Sequence, residues 1–348
     1  MYSGIVITGV GMMGDWGVGR DDFISLLLGH PTLTTIDKFD FDAHIDTNLL
    51  RRADYISLCA FTAAVMALRD AKISIKQEDS TRVGVILGTV HGPLHYSFDY
   101  HASLVTGDPK MVSPMFFSDS IPNAPVSHIS TALGIHGYTI TTQGYCAVAQ
   151  GLKIAAERIQ RGALDVCLVG GADVNHDFLA KLYGGCVAHP KKIATTFGGS
   201  GFLILESLDH AQKRGAVTYA HLEQALMITA KYEVLSSQHV SLLDKIDVQN
   251  PSKYLLSVAD DDKDSELRRD YFLNGIPDHY TDCSSIFGYG FAAAESFQNI
   301  LAVLIAQSPQ MFSSFLGMTE LTTAINNVSL LRTAFAGGNS LVVFSRNV

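Results

Sequence analysis

The chain has 348 residues, of which 47% are hydrophobic and 17% are charged, and this composition predicts one large buried core or two fused cores, not a disordered chain. Its formal net charge of −9 and its lack of a lysine or arginine cluster weigh against nucleic-acid binding, because phosphates require concentrated positive charge. Five scattered cysteines without a CxxC pair predict a reducing cytoplasm, with neither a disulfide framework nor a zinc site.

The N-terminal segment predicts a short buried strand at residues 5–9, followed by a glycine-rich turn, GVGMMG, at residues 9–14. It has no charged region ahead of an apolar stretch, so we expect no signal peptide. The GxGxxG spacing also occurs in dinucleotide-binding folds, which need an amphipathic helix at once and an acidic residue after the next strand. Neither is convincing here, and we expect no cofactor.

The next segments alternate between buried elements and one long connection. Residues 49–71 contain an unbroken run of small and apolar side chains, which predicts a helix buried on nearly all sides. Residues 82–89 predict a fully buried strand. Residues 91–130 are aromatic and are predicted to be irregular, and such long connections usually serve an interface or a site. No apolar run reaches about 18 residues, so we expect no membrane span.

Residues 138–173 are the most informative segment, because they predict a strand, a sharp turn at Cys146, a helix of small residues and a second apolar strand. A cysteine at a helix N-terminus lies at the positive end of the backbone dipole, which favours the thiolate. Cys146 is therefore a candidate nucleophile for acyl transfer. The alternative is that Cys146 is a small buried side chain beside a helix, which is the commoner role of a free cysteine.

The second half of the chain repeats this alternation of strands and helices in weaker form. We predict strands at residues 200–206, 255–259 and 341–345, and a helix at residues 292–306. Two related α/β halves are therefore expected to pack together. Residues 1–206 would form the first half, including the turn at residues 145–146, and residues 207–348 would form a shortened second half of the same compact unit.

Eight segments in this order resemble the β-ketoacyl-acyl carrier protein synthases, and the resemblance covers most of the chain. The segments are residues 7–14 (ITGVGMMG), 51–54 (RRAD), 82–89 (RVGVILGT), 112–117 (VSPMFF), 121–130 (IPNAPVSHIS), 161–173 (RGALDVCLVGGAD), 198–206 (GGSGFLILE) and 334–344 (AFAGGNSLVVF). The resemblance implies an α/β thiolase fold, in which two related halves form a layered αβαβα sandwich.

Condensing enzymes of this family use a cysteine that accepts the acyl chain and two histidines that serve decarboxylation of the malonyl extender and stabilise the enolate. The resemblance places Asp260 at the first histidine, Tyr289 at the second and Ser284 at the lysine that precedes it. A carboxylate cannot donate a hydrogen bond to a carbonyl at neutral pH, and a tyrosine with an ordinary pKa of about 10 replaces imidazole poorly. The cysteine position falls on Cys146 or on Tyr145, depending on the direction of counting. The resemblance therefore implies that no catalytic residue remains.

Non-condensing subunits of this family, called chain length factors, carry glutamine in place of the cysteine, and Gln143 lies near that position but out of register. The family also places residues of the dimer interface and of the acyl tunnel floor along two stretches of this chain; ordinary core packing is the alternative. The strand predicted at residues 138–142 would pair with its counterpart across a two-fold interface. The implied interface and tunnel positions are Phe116, Phe117, Ile121, Pro122, Asn123, Thr139, Thr141 and Gln143.

The resemblance thus implies a catalytically silent, chain length factor-like subunit that forms a heterodimer with an active ketosynthase. Acyl carrier protein would bind mainly through that partner, and the product would be a polyketide, an aryl polyene or a fatty-acid-like chain. Neither a metal nor a nucleic acid is implied. Two alternatives stay open: an active condensing or acyl-transfer enzyme that uses Cys146, and a structural homodimer. An active enzyme would need imidazole from another position, and the candidates are His91, His95, His101, His128 and His279.

Overall fold

A computed structural model describes residues 2–30, 33–51, 53–107, 112–184, 198–234, 253–260, 263–273, 280–284, 286–287, 290–313, 315–316, 325–334 and 337–346. The strands are β1 (Ile5–Gly14), β2 (Gly17–Val18), β3 (Val83–Thr89), β4 (Thr139–Gln143), β5 (Val166–Asp173), β6 (Gly199–Ser207), β7 (Ala220–Thr229), β8 (Lys253–Ala259), β9 (Tyr280–Asp282), β10 (Asn327–Ala334) and β11 (Gly338–Arg346). The helices are α1 (Gly19–Leu27), α2 (Tyr55–Ala71), α3 (Leu94–Thr106), α4 (Pro114–Asp119), α5 (Ala124–Leu133), α6 (Ala147–Gln160), α7 (Asp177–Gly184), α8 (Leu208–Lys213), α9 (Lys263–Leu273) and α10 (Phe291–Gln307). Short 3-10 helices lie at Ile36–Lys38, Phe41–Ala43, Thr47–Leu50, Ile75–Gln77, Ser80–Arg82 and Pro309–Phe312.

The described strands form one hydrogen-bonded sheet in the order β4-β3-β5-β6-β1-β7-β11-β10-β8-β9, with β2 paired to β1. The sheet consists of two groups of five strands that have the same arrangement from the centre outward. The groups are β1-β6-β5-β3-β4 and β7-β11-β10-β8-β9. In each group the outer three strands are parallel and the inner pairs are antiparallel. The two groups meet where Val6 pairs with His221 and Ile7 with Ala220. The strand order therefore repeats. The predicted boundary between the two halves, after residue 206, lies one residue before the end of β6 and stays a prediction.

Three hydrophobic clusters show how the layers stack. One lies between α2 and α5 and the outer face of β3, β5 and β6. The largest holds α6 and α10 between the two groups of strands. The third lies between α9 and the far face of β8, β10 and β11. Helix and sheet layers therefore alternate, and the predicted layered αβαβα sandwich is confirmed.

The glycines of the first motif belong to a strand and not to a turn, so the turn predicted at residues 9–14 is wrong. β1 continues to Gly14 and is buried throughout. A Cβ atom on Gly11 would lie 2.1 Å from the carbonyl oxygen of Ala63, and one on Gly9 would lie 2.6 Å from that of Ala67. These glycines are required because α2 packs directly on the backbone of β1.

Most of the described residues between 91 and 130 lie in helices, so the prediction of an irregular connection is wrong. The segment contains α3, α4 and α5. Two of these helices have proline in the first turn, Pro114 in α4 and Pro125 in α5. Proline is favoured there because its missing N–H would be unpaired in any case, although in a sequence it is usually taken to indicate a loop. In addition, α3 buries none of its side chains fully, which weakens its periodicity.

The other predicted elements agree with the structure. The buried helix corresponds to α2, the predicted strands to β3, β4, β6, β8 and β11, and the second-half helix to α10. None of the helices in the described ranges combines the length and the apolar character that crossing a membrane requires.

Candidate functional site

The predicted sharp turn before α6 is present, and we call residues 143–147 the elbow. Gly144 has a φ of +129°, which L-residues rarely adopt, and this lets the chain reverse directly after β4. The Thr142 hydroxyl donates to the carbonyl of Ala147 at 2.8 Å, and the Gly144 N–H donates to the carbonyl of Thr89 at 3.0 Å. Cys146 is the N-cap residue of α6, as the sequence predicts, but its side chain makes no capping hydrogen bond.

A carboxylate from another helix caps α6 instead. Glu295 Oε2 accepts a hydrogen bond from the Val148 N–H at 3.0 Å, and Oε1 accepts one from the Ala149 N–H at 2.9 Å. Glu295 lies in the second turn of α10 and is 1% exposed. These are the N–H groups that an N-cap side chain would normally bind, so Glu295 replaces Cys146 in that role. Burial raises the pKa of the Glu295 carboxyl to about 7.

The Cys146 side chain is half-buried, and its surroundings are polar. Burial, followed by the charge of Glu295, raises its pKa to about 12, and Asp260 adds to this rise. Arg332 and a hydrogen bond from Ser340 act in the opposite direction. The thiol is therefore protonated near neutral pH. The expectation that the helix dipole favours a thiolate is wrong here, because burial and Glu295 outweigh the dipole.

Arg332 is the cation of this site and is 3% exposed. Its Nη1 donates to Gln298 Oε1 at 2.7 Å, and its Nη2 donates to Asp260 Oδ1 at 3.1 Å. Among the described residues, Arg332 Nε has no hydrogen-bond partner although it is buried. We call Cys146, Asp260, Glu295, Gln298, Arg332 and Ser340 the elbow cluster. From the sequence, Asp260 was identified only as the residue at the position of a lost histidine. The structure shows that its carboxylate forms a buried ion pair with Arg332.

Ser284, the residue predicted at the lysine position, joins two loops near Asp260. Its hydroxyl accepts a hydrogen bond from the Ala259 N–H at 2.9 Å and donates to Asp282. Tyr145 is half-buried and packs against the cluster of Leu179 and Phe291, away from the core of the sheet. The structure thus brings Cys146, Asp260 and Ser284 to one region. Tyr289 and His279 lie outside the described residues.

The histidines considered as replacements have other contacts. The His91 ring packs edge-on against Phe291 with centroids 4.5 Å apart, and burial lowers its pKa while Asp173 opposes the shift. His101 Nδ1 lies 2.6 Å from the carbonyl oxygen of Ser97, and His128 Nε2 lies 3.2 Å from Asp119. The His95 ring packs edge-on against His176, with ring centroids 4.6 Å apart. None of these contacts is with the thiol of Cys146.

Asp173 is a second buried carboxylate that sequence reasoning missed. It ends β5 and accepts hydrogen bonds from the Thr89 hydroxyl at 2.9 Å, from the His91 N–H at 3.0 Å and from the Ala292 N–H at 2.9 Å. It therefore fixes the N-terminus of α10, the helix that carries Glu295. In the sequence, the feature that could have identified Asp173 is a carboxylate at the end of an apolar strand. Glu295 and Arg332 could have been identified in a similar way, because each is a single charged residue within an otherwise uncharged helix or strand.

The predicted interface strand, β4, ends the sheet. Its inner edge pairs with β3, and no described strand pairs with its outer edge. Thr139 and Gln143 are exposed, and Thr141 is half-buried with its hydroxyl 3.5 Å from the carbonyl oxygen of Pro122. The loop before α5 therefore lies beside this edge at Pro122, and the interface role of Pro122 and Asn123 stays a prediction.

The aromatic pair on α4 has two orientations. Phe116 is half-buried, and its ring centroid lies 5.1 Å from that of Tyr96. Phe117 is 58% exposed and lies 5.6 Å from the Tyr100 ring. Ile121 is 40% exposed, so exposed apolar side chains flank the end of α4, next in sequence to Pro122 beside β4. Within the described ranges, no group of three or more acidic, histidine or cysteine side chains could hold a metal ion.

Comparison with known proteins relates the chain to one family. Residues 28–180 match the family described as "Beta-ketoacyl synthase, N-terminal domain". The 3-oxoacyl-[acyl-carrier-protein] synthase 2 of Vibrio cholerae serotype O1 is 26% identical over 253 residues, which is 63% of this chain and 61% of that protein. The Staphylococcus aureus protein of the same name is 29% identical over 204 residues, which is 54% of this chain and 51% of that protein. The chain thus spans 61% and 51% of the lengths of these two relatives.

Solved structures match the chain over its full length. "The ishigamide ketosynthase/chain length factor" has a TM-score of 0.80 at 17% identity, and a β-ketoacyl synthase from Burkholderia phymatum STM815 has 0.80 at 16% identity. A chain of the AntDE:AntF complex, a type II PKS acyl-carrier protein with its ketosynthase, has 0.77 at 22% identity. Each match covers 100% of both chains. The chain is therefore similar to the β-ketoacyl synthase N-terminal domain over residues 28–180, and it has the thiolase-like ketosynthase fold.

Proposed function

We propose that the protein is a non-condensing, chain length factor-like subunit that pairs with an active ketosynthase and helps shape its acyl tunnel. The environment of the Cys146 thiol carries this proposal. Among the described residues, the side chains that shift the pKa of the thiol are Glu295, Arg332, Ser340 and Asp260, and none of these four is an imidazole. Condensation requires a thiolate and a donor to the developing enolate, whereas two of the four groups are carboxylates that repel negative charge.

The outer edge of β4 supports pairing with a second subunit. Val85 N–H donates to the Tyr138 carbonyl at 2.9 Å and Gly144 N–H donates to the Thr89 carbonyl at 3.0 Å. Because bonding alternates along a parallel strand, the N–H groups of Thr139, Thr141 and Gln143 point away from β3. An edge with free donors and a neighbouring apolar surface is suited to a subunit interface.

Phe116 supports a role in setting chain length. It is half-buried beside Tyr96 and next to the surface that would meet the partner. A large aromatic ring at the end of a tunnel excludes volume that an acyl chain would otherwise fill. We therefore propose that the partner builds a polyketide, aryl polyene or fatty-acid-like chain on acyl carrier protein, and that this subunit limits the length of that chain. We propose that both subunits act in the cytoplasm.

An active enzyme that uses Cys146 is the second candidate, and the intact elbow favours it. The turn still places a thiol at the N-terminus of a helix of 14 residues. This candidate requires that the protonated thiol be activated by a group outside the described residues. A structural homodimer would use the same edge of β4 and is distinguished by its choice of partner.

The test is co-expression with ketosynthases that have an intact cysteine and both histidines, beginning with any encoded beside this chain. We expect a stable one-to-one complex by size-exclusion chromatography with light scattering. With acyl carrier protein and malonyl thioester, the complex should form product, while each subunit alone forms none.

The decisive variants are matched cysteines in the two subunits. Cys146→Ala should leave product formation unchanged, whereas the cysteine-to-alanine variant of the partner should abolish it. Loss of product with Cys146→Ala would establish the active-enzyme alternative. A homodimer that ignores every ketosynthase tested would establish the structural alternative.

A further inference from the structure

We propose that Cys146 is a latent thiol, held unreactive by Glu295, and that removing the Glu295 charge turns it into a modification site for electrophiles. This inference rests on the proposed function and deepens it, because it names the residue that suppresses chemistry at the elbow. The loss of histidines alone explains why condensation fails. It does not explain why the thiol itself would resist acylation or alkylation.

The first step is the competition for the N-terminus of α6. The N–H groups of Val148 and Ala149 are the donors that would face an N-cap side chain, here Cys146. Both are bound by the two oxygens of Glu295, at 3.0 and 2.9 Å. The positive end of the helix dipole is therefore already compensated by a carboxylate from α10, and little of it remains to stabilise a thiolate.

The second step is the charge balance of the elbow cluster. Two carboxylates face the thiol, Glu295 from α10 and Asp260 from the end of β8, and one cation faces it, Arg332 from β10. A thiolate would be the third anion around one cation. Without the Glu295 charge, the thiolate and Asp260 would both be paired with Arg332. The net charge of the elbow cluster would then equal that of the present cluster.

The third step is the unused donor of Arg332. Its Nε is buried and has no hydrogen-bond partner among the described residues, while both Nη atoms are bound. A buried N–H of a charged group strongly favours an anionic acceptor. The cluster therefore holds a buried cationic donor without an acceptor, and the charge of Arg332 already acts to lower the pKa of the Cys146 thiol.

The test is alkylation of the full chain by iodoacetamide at about pH 8.5, above the Glu295 pKa of about 7 so that its carboxyl is ionised, followed by peptide mass spectrometry. The thiolate sulfur displaces iodide, so that the sulfur–carbon bond forms, the carbon–iodine bond breaks and the thiol proton passes to the buffer. Cys167, which is 0% exposed, serves as the reference within the same molecule. Cys146 is half-buried and Cys167 is fully buried, so we expect Cys146 of the parent protein to be labelled slowly because its thiol is protonated, and not because reagent is excluded.

Glu295→Gln should accelerate labelling of Cys146 by about tenfold or more, since each unit by which a thiol pKa falls raises the thiolate fraction about tenfold, with Cys167 unchanged. Arg332→Met removes the cation and should give no acceleration. Glu157→Gln is the matched control, because it removes an exposed carboxylate from the same helix, α6, and should change nothing.

Unchanged Cys146 labelling in Glu295→Gln would overturn the proposal, as would equal acceleration in Arg332→Met. If Glu295→Gln also exposes Cys167, Asp260→Asn decides the matter. That variant removes the other carboxylate facing the thiol and should accelerate Cys146 labelling alone; otherwise the inference is wrong. Formation of the ketosynthase complex is measured separately, so that the two proposals fail independently.

Discussion

Glu295 is a buried acid whose protonation is coupled to folding. Burial raises its pKa from 4.5 to about 7, so the folded chain retains a proton that the unfolded chain releases. The free energy of unfolding should therefore fall as the pH rises from about 4.5 to about 7, and this contribution should be constant above that range.

Glu295→Gln should remove this dependence. Urea unfolding of the parent and the variant at about pH 5 and about pH 7.5 measures it, because other carboxylates contribute equally to both proteins. Relative to the parent, the variant should be more stable at the higher pH than at the lower one. A stability difference that is independent of pH would show that Glu295 is ionised in the folded protein throughout.

Phe116 and Phe117 are adjacent residues from which we expect different effects. Phe116 is half-buried against Tyr96, whereas Phe117 is 58% exposed. In the complex with a ketosynthase, Phe116→Ala should lengthen the product, because the removed ring opens space at the end of the tunnel. Phe117→Ala should leave product length unchanged and alter stability by about 0.5 kcal/mol or less. Mass spectrometry of the released chains distinguishes the two, and a longer product from Phe117→Ala alone would reverse the assignment.

At the scale of one strand, β4 allows a substitution that affects pairing without affecting the fold. The N–H of Thr141 points away from β3, so proline at this position removes no backbone hydrogen bond between β4 and β3, and of the described hydrogen bonds it removes only the 3.5 Å side-chain bond to the Pro122 carbonyl. Thr141→Pro should fold normally and bind a ketosynthase about tenfold more weakly or worse, because an interface hydrogen bond is lost and the ring obstructs the edge.

Thr141→Val is the matched control, since it keeps both the backbone N–H and the shape of the side chain. Its affinity, measured by titration with the partner, should stay close to that of the parent. Normal binding by Thr141→Pro would mean that the partner uses another surface. Circular dichroism shows whether each variant is folded.

At the scale of the whole molecule, His210 joins the first half of the chain to the connection that leads into the second. Its Nδ1 lies 2.6 Å from Glu206 and its Nε2 lies 3.0 Å from Glu78. Since a neutral ring has a single N–H, two carboxylate contacts require the imidazolium. Burial acts to lower the pKa of His210, but the hydrogen bonds to Glu206 and Glu78 raise it above its ordinary value of 6.5 overall.

The stabilisation by His210 should be complete below about pH 6.5 and should be lost as the pH rises through the higher pKa of the folded state. His210→Gln should thus reduce the free energy of unfolding more at about pH 6 than at about pH 9. Thermal unfolding of both proteins at the two pH values checks this. An equal loss at both would indicate that the ring is neutral.

The sequence was sufficient for the elements whose residues interact locally and insufficient for the polar contacts between distant ones. Apolar runs identified β3, β6 and α10 because burial on all sides leaves a continuous pattern. Pro114 and Pro125 concealed helices, since proline is compatible with both a loop and a first turn. The bond from Glu295 to Val148 spans 147 positions, and no local pattern specifies such a pair.

The repeated strand order makes β9 the counterpart of β4, at the opposite end of the sheet. β9 has three residues where β4 has five, and its Asp282 forms an ion pair with Arg269 at 2.8 Å. Short, charged edges resist the addition of further strands. A sheet with one edge strand that can pair and one edge strand that resists pairing would bind a single neighbouring subunit. Under the proposed pairing through β4, the β9 edge would thereby keep the assembly from growing into a fibre.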